Sequence, residues 1–85
     1  MHDEYSEILV QRIRSLCKQR GITAYQLANM SGIRYSTLEN LLNRKTFNPK
    51  IKTLQKIANG FSMTLAEFLD FPELNYYSFE DRTET

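Results

Sequence analysis

With 85 residues and one cysteine, the chain has room for a single small hydrophobic core and cannot form an internal disulfide bond. Because it has no apolar run of signal-peptide or transmembrane length, we expect a cytoplasmic protein with no membrane partner. No spacing of His, Cys, Asp and Glu suggests a metal site or a catalytic triad, and His2 stands alone near the N-terminus. We therefore expect no enzyme activity, no metal and no cofactor.

The net charge of +1 conceals a strong segregation of charge along the chain. Residues 1–7 and residues 71–85 each carry a net charge of −3, whereas residues 8–70 hold ten basic and three acidic residues, a net charge of +7. We interpret these segments as an acidic N-terminal arm, a basic domain and an acidic, aromatic C-terminal tail. A basic domain favours a polyanionic partner, but lysines and arginines also solvate ordinary surfaces, so their positions must decide.

The first two helices are predicted from apolar spacing and capping residues. Apolar residues recur at helical spacing at Leu9, Ile13 and Leu16. Gly21 follows them as a stop signal for the first helix. Thr23 and Gln26 then have the spacing of a capping box, in which each side chain pairs with an amide that the helix start leaves free. They predict a second helix over about residues 24–30.

The third helix is predicted after Gly32, and its outer face is unusually polar. Its apolar side is marked by Ile33, Leu38, Leu41 and Leu42. Its other sides carry Tyr35, Ser36, Glu39, Asn40 and Asn43. A tight turn between two helices favours a residue that reaches a positive φ without steric cost, which accounts for Gly32.

The fourth helix is predicted from its first residues. Asn48 and Pro49 have the pattern of an N-cap followed by proline at the first helical position. The apolar period then continues through Ile51, Leu54, Ile57 and Ala58. Gly60 is predicted to end this helix.

A fifth helix and a tail complete the predicted chain. Thr64 and Glu67 form a second capping box, and Pro72 is predicted to halt the fifth helix. No strand-like alternation occurs, so the predicted fold is all-α with five helices. The tail has aromatic residues at Tyr76, Tyr77 and Phe79. They predict either a disordered tail or one that docks on this domain or on a second subunit.

The predicted corner around Gly32 resembles the helix-turn-helix domain of the Cro/C1 type, also called Xre-like, of phage-repressor type. Small Ala28 stands four residues before Gly32, where two helices must cross closely, and apolar residues stand where such a pair must be buried: Leu27, Ile33, Leu38 and Leu41. The resemblance covers about residues 8–70, including RIRSLCKQRGIT before the corner and NPKIKTLQKIANGFSMTLAEF after it. It implies a compact five-helix domain in which helices two and three form the helix-turn-helix.

The function implied by the resemblance is sequence-specific binding of double-stranded DNA by a transcriptional regulator, a repressor in our interpretation. The third helix, about residues 35–43, would enter the major groove, and a homodimer would read half-sites about one helical turn apart. The base-contacting candidates are Tyr35, Ser36 and Asn40, with Arg34 and Thr37 as neighbours. Their side chains can donate and accept hydrogen bonds at base edges, and Tyr can also contact a thymine methyl.

Phosphate contacts are expected on both sides of the third helix. The side-chain candidates are Asn43, Arg44, Lys45, Lys50 and Lys52. The start of helix two offers free amides and a positive dipole end, over Thr23, Ala24 and Tyr25. The remaining basic residues are interpreted as solvating other faces: Arg14, Lys18, Arg20 and Lys56.

The chain departs from the resembled family at several positions. Ala24 and Arg34 stand where many relatives have Gln and a capping Ser or Thr, and Arg44 stands in place of Gly. A paired departure is more informative, because relatives commonly hold an Arg and a Glu as an ion pair where this chain has Cys17 and Leu42. Replacing both partners by apolar groups avoids a stranded charge, so we expect Cys17 to pack against Leu42.

Two alternatives stay open from the sequence. The same fold also serves in protein-interaction modules and in antitoxins, so a protein partner is a second possibility beside DNA. For the dimer surface, the candidates are helix five and the tail aromatics, Phe71 and Tyr76 to Phe79. Those aromatics could equally cover the core of their own subunit.

Overall fold

The computed structural model describes residues 4–43 and 48–78, and within these ranges the chain is all-helical, with no strand. The helices are α1 (Glu4–Arg20), α2 (Ala24–Ser31), α3 (Tyr35–Leu42), α4 (Ile51–Gly60), α5 (Leu65–Leu69) and α6 (Pro72–Asn75). The predicted all-α class is confirmed. His2, Arg44, Lys45 and Phe79 lie outside the described residues.

α1 begins at Glu4, inside the segment that the charge pattern assigns to an acidic arm. Ser6 is fully buried and Tyr5 packs against the hydrophobic core. The helix ends at Arg20, and the predicted stop residue Gly21 follows it with φ +66°. There the amide of Ile22 donates to the carbonyl of Cys17, so the left-handed residue satisfies a terminal carbonyl of α1.

Both predicted capping boxes are present. The amide of Gln26 donates to Thr23 Oγ1 at 3.1 Å, and the Thr23 amide donates to Gln26 Oε1 at 2.8 Å. Thr64 and Glu67 make the equivalent pair of bonds at the start of α5, at 2.8 and 3.0 Å. These bonds pair two otherwise free amides at each helix start.

The start of α4 differs from the prediction. Lys50 is its N-cap and Ile51 its first residue, so Asn48 and Pro49 do not cap it. Pro49 is instead buried, and the extended Lys50, with ψ 149°, connects it to the helix. The apolar pattern also predicts that Ile51 is buried, and this is wrong, because its side chain is 62% exposed. It lies on the first turn, ahead of Leu54, where the chain's own core no longer covers the helix face.

α4 ends at Gly60 as predicted, but for another reason than a glycine cap. Gly60 does not have a positive φ; Ser62, with φ 61°, takes the left-handed position after the helix. A Cβ on Gly60 would lie 2.2 Å from Ser31 Oγ and 3.2 Å from Ser31 Cα. Gly60 is therefore required for the close approach of α4 to the end of α2.

Pro72 does not halt the fifth helix as predicted, because α5 already ends at Leu69. It is instead the first residue of the short helix α6. Proline suits this first position because it has no amide to leave unpaired. α6 packs on α1, and Phe71 before it is buried. Part of the predicted tail therefore covers the core of its own chain.

Two arginines of α1 hold the C-terminal ends of other helices. Arg12 donates from Nε to the carbonyl of Phe68 at 2.9 Å and from Nη2 to that of Glu67 at 3.0 Å. Its guanidinium carbon also lies 4.8 Å from the ring centre of Phe71. Arg20 donates to the carbonyl of Phe61 and lies over that ring. Both cations complement the partial negative charge of the carbonyls at a helix C-terminus.

The hydrophobic core is formed by residues of the five helices α1, α2, α3, α4 and α5, and by Phe61 just after α4. Its fully or nearly fully buried members are Leu9, Val10, Ile13, Leu16, Leu27, Ala28, Leu38, Leu41, Leu54, Ile57, Ala58, Phe61 and Phe68. The Phe61 and Phe68 rings stack with their centres 6.4 Å apart. Because α2 packs on both α3 and α4, this core fixes the position of α3 relative to the start of α4.

Candidate nucleic-acid interface

One face of α3 is buried and the others are polar and exposed. Leu38, Leu41 and Leu42 are buried in the core. The side chains of Tyr35, Ser36, Thr37, Glu39 and Asn40 are exposed, as is Arg34 at the N-cap. The base-contacting candidates therefore share the solvent-facing part of one short helix.

The turn between α2 and α3 depends on the left-handed backbone of Gly32. Its φ is +70°, its amide donates to Asn29 at 3.3 Å, and the amide of Ile33 donates to Ala28 at 3.1 Å. A Cβ on Gly32 would meet nothing within 4 Å, so the requirement for glycine comes from φ rather than from space. The predicted role of Gly32 is thus confirmed, and the turn sets where α3 begins.

The start of α3 has no side-chain cap. Arg34 occupies the N-cap position with φ −71° and makes no capping hydrogen bond. Its carbonyl accepts the amides of Thr37 and Leu38, which close the first turn. The last residue of the predicted helix, Asn43, is its exposed C-cap.

At the start of α2, the capping box leaves a smaller set of free amides than the sequence suggests. The amides of Thr23 and Gln26 are already paired. The amides of Ala24 and Tyr25 have no acceptor within the helix, because the first turn cannot supply one. An anion at this helix start would therefore meet Ala24 and Tyr25 rather than the amide of Thr23.

Two exposed tyrosines meet across the α2–α3 corner. The ring centres of Tyr25 and Tyr35 are 5.6 Å apart, with an angle of 63° between the ring planes. The side chains are 60% and 42% exposed, and both lie outside the hydrophobic core. Residue spacing does not reveal this contact, because the two residues belong to different helices.

The start of α4 adds positive charge to the candidate interface. Lys50 and Lys52 are exposed on either side of the exposed Ile51. The apolar period assigned Ile51 to the core; its position between two lysines is the signal that could have placed it on the surface. Of the two other basic candidates, Arg44 and Lys45, the structure describes neither.

Other basic residues of α1 are engaged elsewhere. Arg20, interpreted as a solvating residue, instead caps α4, and Arg12 caps α5. Neither guanidinium is thus needed to explain the positive charge of the interface. Arg12 and Arg20 therefore have structural roles, whereas the exposed Lys50 and Lys52 remain candidates for DNA contacts.

Cys17 and Leu42 line the same surface cavity, of about 270 Å³, beside α2. The other lining residues are Ile13, Arg14, Lys18, Ile22 and Ala24. Leu42 belongs to the core and Cys17 packs against that core from α1. Burial raises the pKa of the Cys17 thiol, and the positive charge of Arg14 opposes the rise. At neutral pH this thiol is therefore a neutral packing group.

Within residues 4–43 and 48–78, no group of three or more His, Cys, Asp and Glu side chains could hold a metal ion. No helix there is both long and apolar enough to span a bilayer.

Comparisons with known proteins match most of the chain to a family model and to curated relatives. A family model for the Cro/C1-type HTH DNA-binding domain matches residues 12–73. The chain is also 30% identical over 63 residues to the HTH-type transcriptional regulator PuuR of Escherichia coli (strain K12), and equally to that of Shigella flexneri. Each alignment covers 74% of this chain and 34% of the relative, so the chain spans about a third of the length of the curated relatives that it matches.

Proposed function

Because this chain belongs to the Cro/C1-type helix-turn-helix family of DNA-binding domains, we propose that it binds double-stranded DNA with sequence specificity and regulates transcription, as a repressor. In this proposal α2 and α3 form the helix-turn-helix, and α3 enters the major groove. The chain acts in the cytoplasm and carries out no enzymatic reaction. The similarity to PuuR supports the regulatory role.

The observation that carries the proposal is the division of α3 into a buried apolar face and an exposed polar one. Tyr35, Ser36 and Asn40 are exposed together. Glu39 is the only charged residue between Tyr35 and Asn40, whereas an ordinary solvated helix face is rich in Lys and Glu. Amide and hydroxyl groups pair with base edges in the major groove, Asn with adenine above all. We assign these three residues to base contacts, with Arg34 and Thr37 at the edge of the same surface.

Phosphate contacts on both sides of α3 would hold it in register. We assign them to the amides of Ala24 and Tyr25 at the start of α2, with Thr23 as the cap that orders it. On the other side we assign them to Asn43, Arg44, Lys45, Lys50 and Lys52. Such contacts supply affinity and orientation but little sequence information.

We also propose that the regulator acts as a homodimer on paired half-sites. Phe71 is buried against its own chain, so it is not available for the dimer surface. Tyr76 is 88% exposed just beyond α6 and is the better candidate. A dimer would appear in sedimentation, and as two-fold symmetry in the bound sequence.

Selection from a random duplex library tests the proposal. The enriched site is then titrated with Asn40→Ala, Lys50→Ala and, as a matched control, Asn59→Ala on the exposed end of α4. We expect Asn40→Ala to relax the preference at one base position, Lys50→Ala to weaken all sequences alike, and Asn59→Ala to change neither. If no duplex is bound even at low salt, DNA binding is wrong and the protein-interaction module becomes the better account.

A further inference from the structure

The Tyr25–Tyr35 ring contact links the two parts of the candidate interface that have different tasks. Tyr25 lies at the start of α2, beside the amides assigned to a phosphate, and Tyr35 is the first residue of α3. Their rings meet edge to face, at 5.6 Å and 63°. This is the arrangement that the charge distribution of aromatic rings prefers.

The contact restricts an exposed side chain that would otherwise sample several rotamers. Tyr35 is 42% exposed and has solvent on its outer side, whereas Tyr25 closes one side of its ring. Neither ring is part of the core, so the pair is not needed to fill the interior. A side chain that is already oriented loses less entropy when it binds.

We propose that Tyr25 is a positioning residue for sequence readout: it holds the Tyr35 ring so that the ring edge contacts the 5-methyl group of a thymine in the major groove. The proposal rests on the proposed DNA-binding function and changes the role of Tyr25 from a backbone contact alone to a determinant of specificity. Apolar contact with the thymine methyl is a way of recognising this base that needs no hydrogen bond.

Replacing single thymines by deoxyuridine in the selected site tests the contact, because deoxyuridine lacks only the methyl group. For the wild-type protein we expect one thymine per half-site at which the replacement weakens binding about fourfold, the value of roughly one buried methyl group. We expect Tyr35→Ala to abolish this discrimination. Tyr35→Phe keeps the ring and should retain it.

The positioning role is tested by two variants of the neighbouring tyrosine. Tyr25→Leu keeps an apolar side chain but removes the ring, and we expect it to lose most of the thymine-over-deoxyuridine preference while still binding both sites. Tyr25→Phe keeps the ring contact and should preserve the preference. Full preference in Tyr25→Leu or in Tyr35→Ala would overturn the proposal, as would a site with no methyl-sensitive thymine.

A measurement on the free protein separates this inference from the DNA-binding function. We expect nuclear Overhauser effects between the ring protons of Tyr25 and Tyr35 in solution, and fewer rotamers of Tyr35 in the wild type than in Tyr25→Leu. The absence of these ring contacts would overturn the positioning role even if the protein binds DNA. Their presence with no binding to any duplex would instead contradict the proposed function, and the readout role with it.

Discussion

Ser62 follows α4 with φ 61°, a left-handed conformation that side chains other than glycine adopt at a cost. Its amide donates to the carbonyl of Asn59, and the amide of Met63 donates to that of Ala58, each at 2.9 Å. These bonds satisfy the end of α4 and keep the residue in its strained conformation. The chain thus has a serine where glycine is the less strained choice.

Ser62→Gly is therefore expected to stabilise the fold by about 0.5–1 kcal/mol, the relief of backbone strain less the greater freedom of glycine in the unfolded chain. Urea unfolding followed by circular dichroism measures the change. Ser62→Ala is the control and should not stabilise, because alanine keeps the Cβ. A gain for alanine equal to that for glycine would contradict the assignment of strain to φ.

Leu42 lines the same cavity as Cys17, and the direct packing of the two side chains in place of an ion pair stays a prediction. Leu42→Glu is expected to destabilise the fold by several kcal/mol, because position 42 is buried in the apolar core and the new carboxylate would have no ion-pair partner at Cys17. Thermal unfolding measures the loss, and Leu42→Met is the apolar control. Adding Cys17→Arg to Leu42→Glu should recover part of the loss; a double variant no more stable than Leu42→Glu alone would refute the pairing of the two positions.

At the scale of elements, a close approach joins the end of α2 to the end of α4. Ser31 Oγ is buried there without a hydrogen-bond partner, directly against the position that a Gly60 side chain would take. We expect this approach to matter for function, because α2 carries the amides that we propose for a phosphate contact and leads into the turn that sets α3.

Gly60→Ala is expected to cost about 1–3 kcal/mol, since its Cβ would clash with Ser31 Oγ. Ser31→Ala should be neutral or slightly stabilising because it removes an unpaired buried hydroxyl. The double variant should lose less stability than Gly60→Ala, as measured in a double-mutant cycle by urea unfolding. Simple additivity of the two effects would show that the helices do not meet through these residues.

Arg12 links α1 to the chain around α5 and α6: it donates to two carbonyls at the end of α5 and lies against Phe71, the N-cap of α6. Arg12→Gln should destabilise the fold by about 1–3 kcal/mol through the loss of these interactions. Arg14→Gln makes the same change two residues along, on the exposed side of α1, and should stay within about 0.5 kcal/mol of the wild type. Equal losses of stability in the two variants would indicate a general charge effect instead of the loss of these specific Arg12 contacts.

At the scale of the whole molecule, two kinds of feature that the sequence predicts correctly are decided within a few residues, although the local Asn48–Pro49 pattern did not mark the start of α4. The capping boxes at Thr23 and Thr64 and the left-handed turn at Gly32 depend on neighbours three to five positions away, so the local pattern is sufficient. α6 depends on a distant partner, because Phe71 is covered by Arg12 of α1. Local spacing cannot report that partner, so the sequence pattern predicts a stop at Pro72 where the structure has the start of α6.

The candidate site divides in the same way. The exposure of Tyr35, Ser36 and Asn40 follows from the helical period, because Leu38 and Leu41 fix the buried side. The ring contact between Tyr25 and Tyr35 was not predictable, since it depends on how α2 and α3 cross. The DNA contacts of Tyr25, Tyr35, Ser36 and Asn40 stay predictions.

The central claim is that this chain binds DNA through a basic surface around α3 and recognises its sequence. The most direct test measures how the affinity for a duplex depends on salt and on base sequence. The duplex selected from a random library and a scrambled duplex of equal length are compared from low to physiological salt. We expect log affinity to fall linearly with log salt, with a slope of about −0.9 per phosphate contact, and the selected site to bind at least ~10³-fold more tightly than the scrambled one. Binding that does not depend on salt, or equal affinity for the two duplexes, would contradict the account.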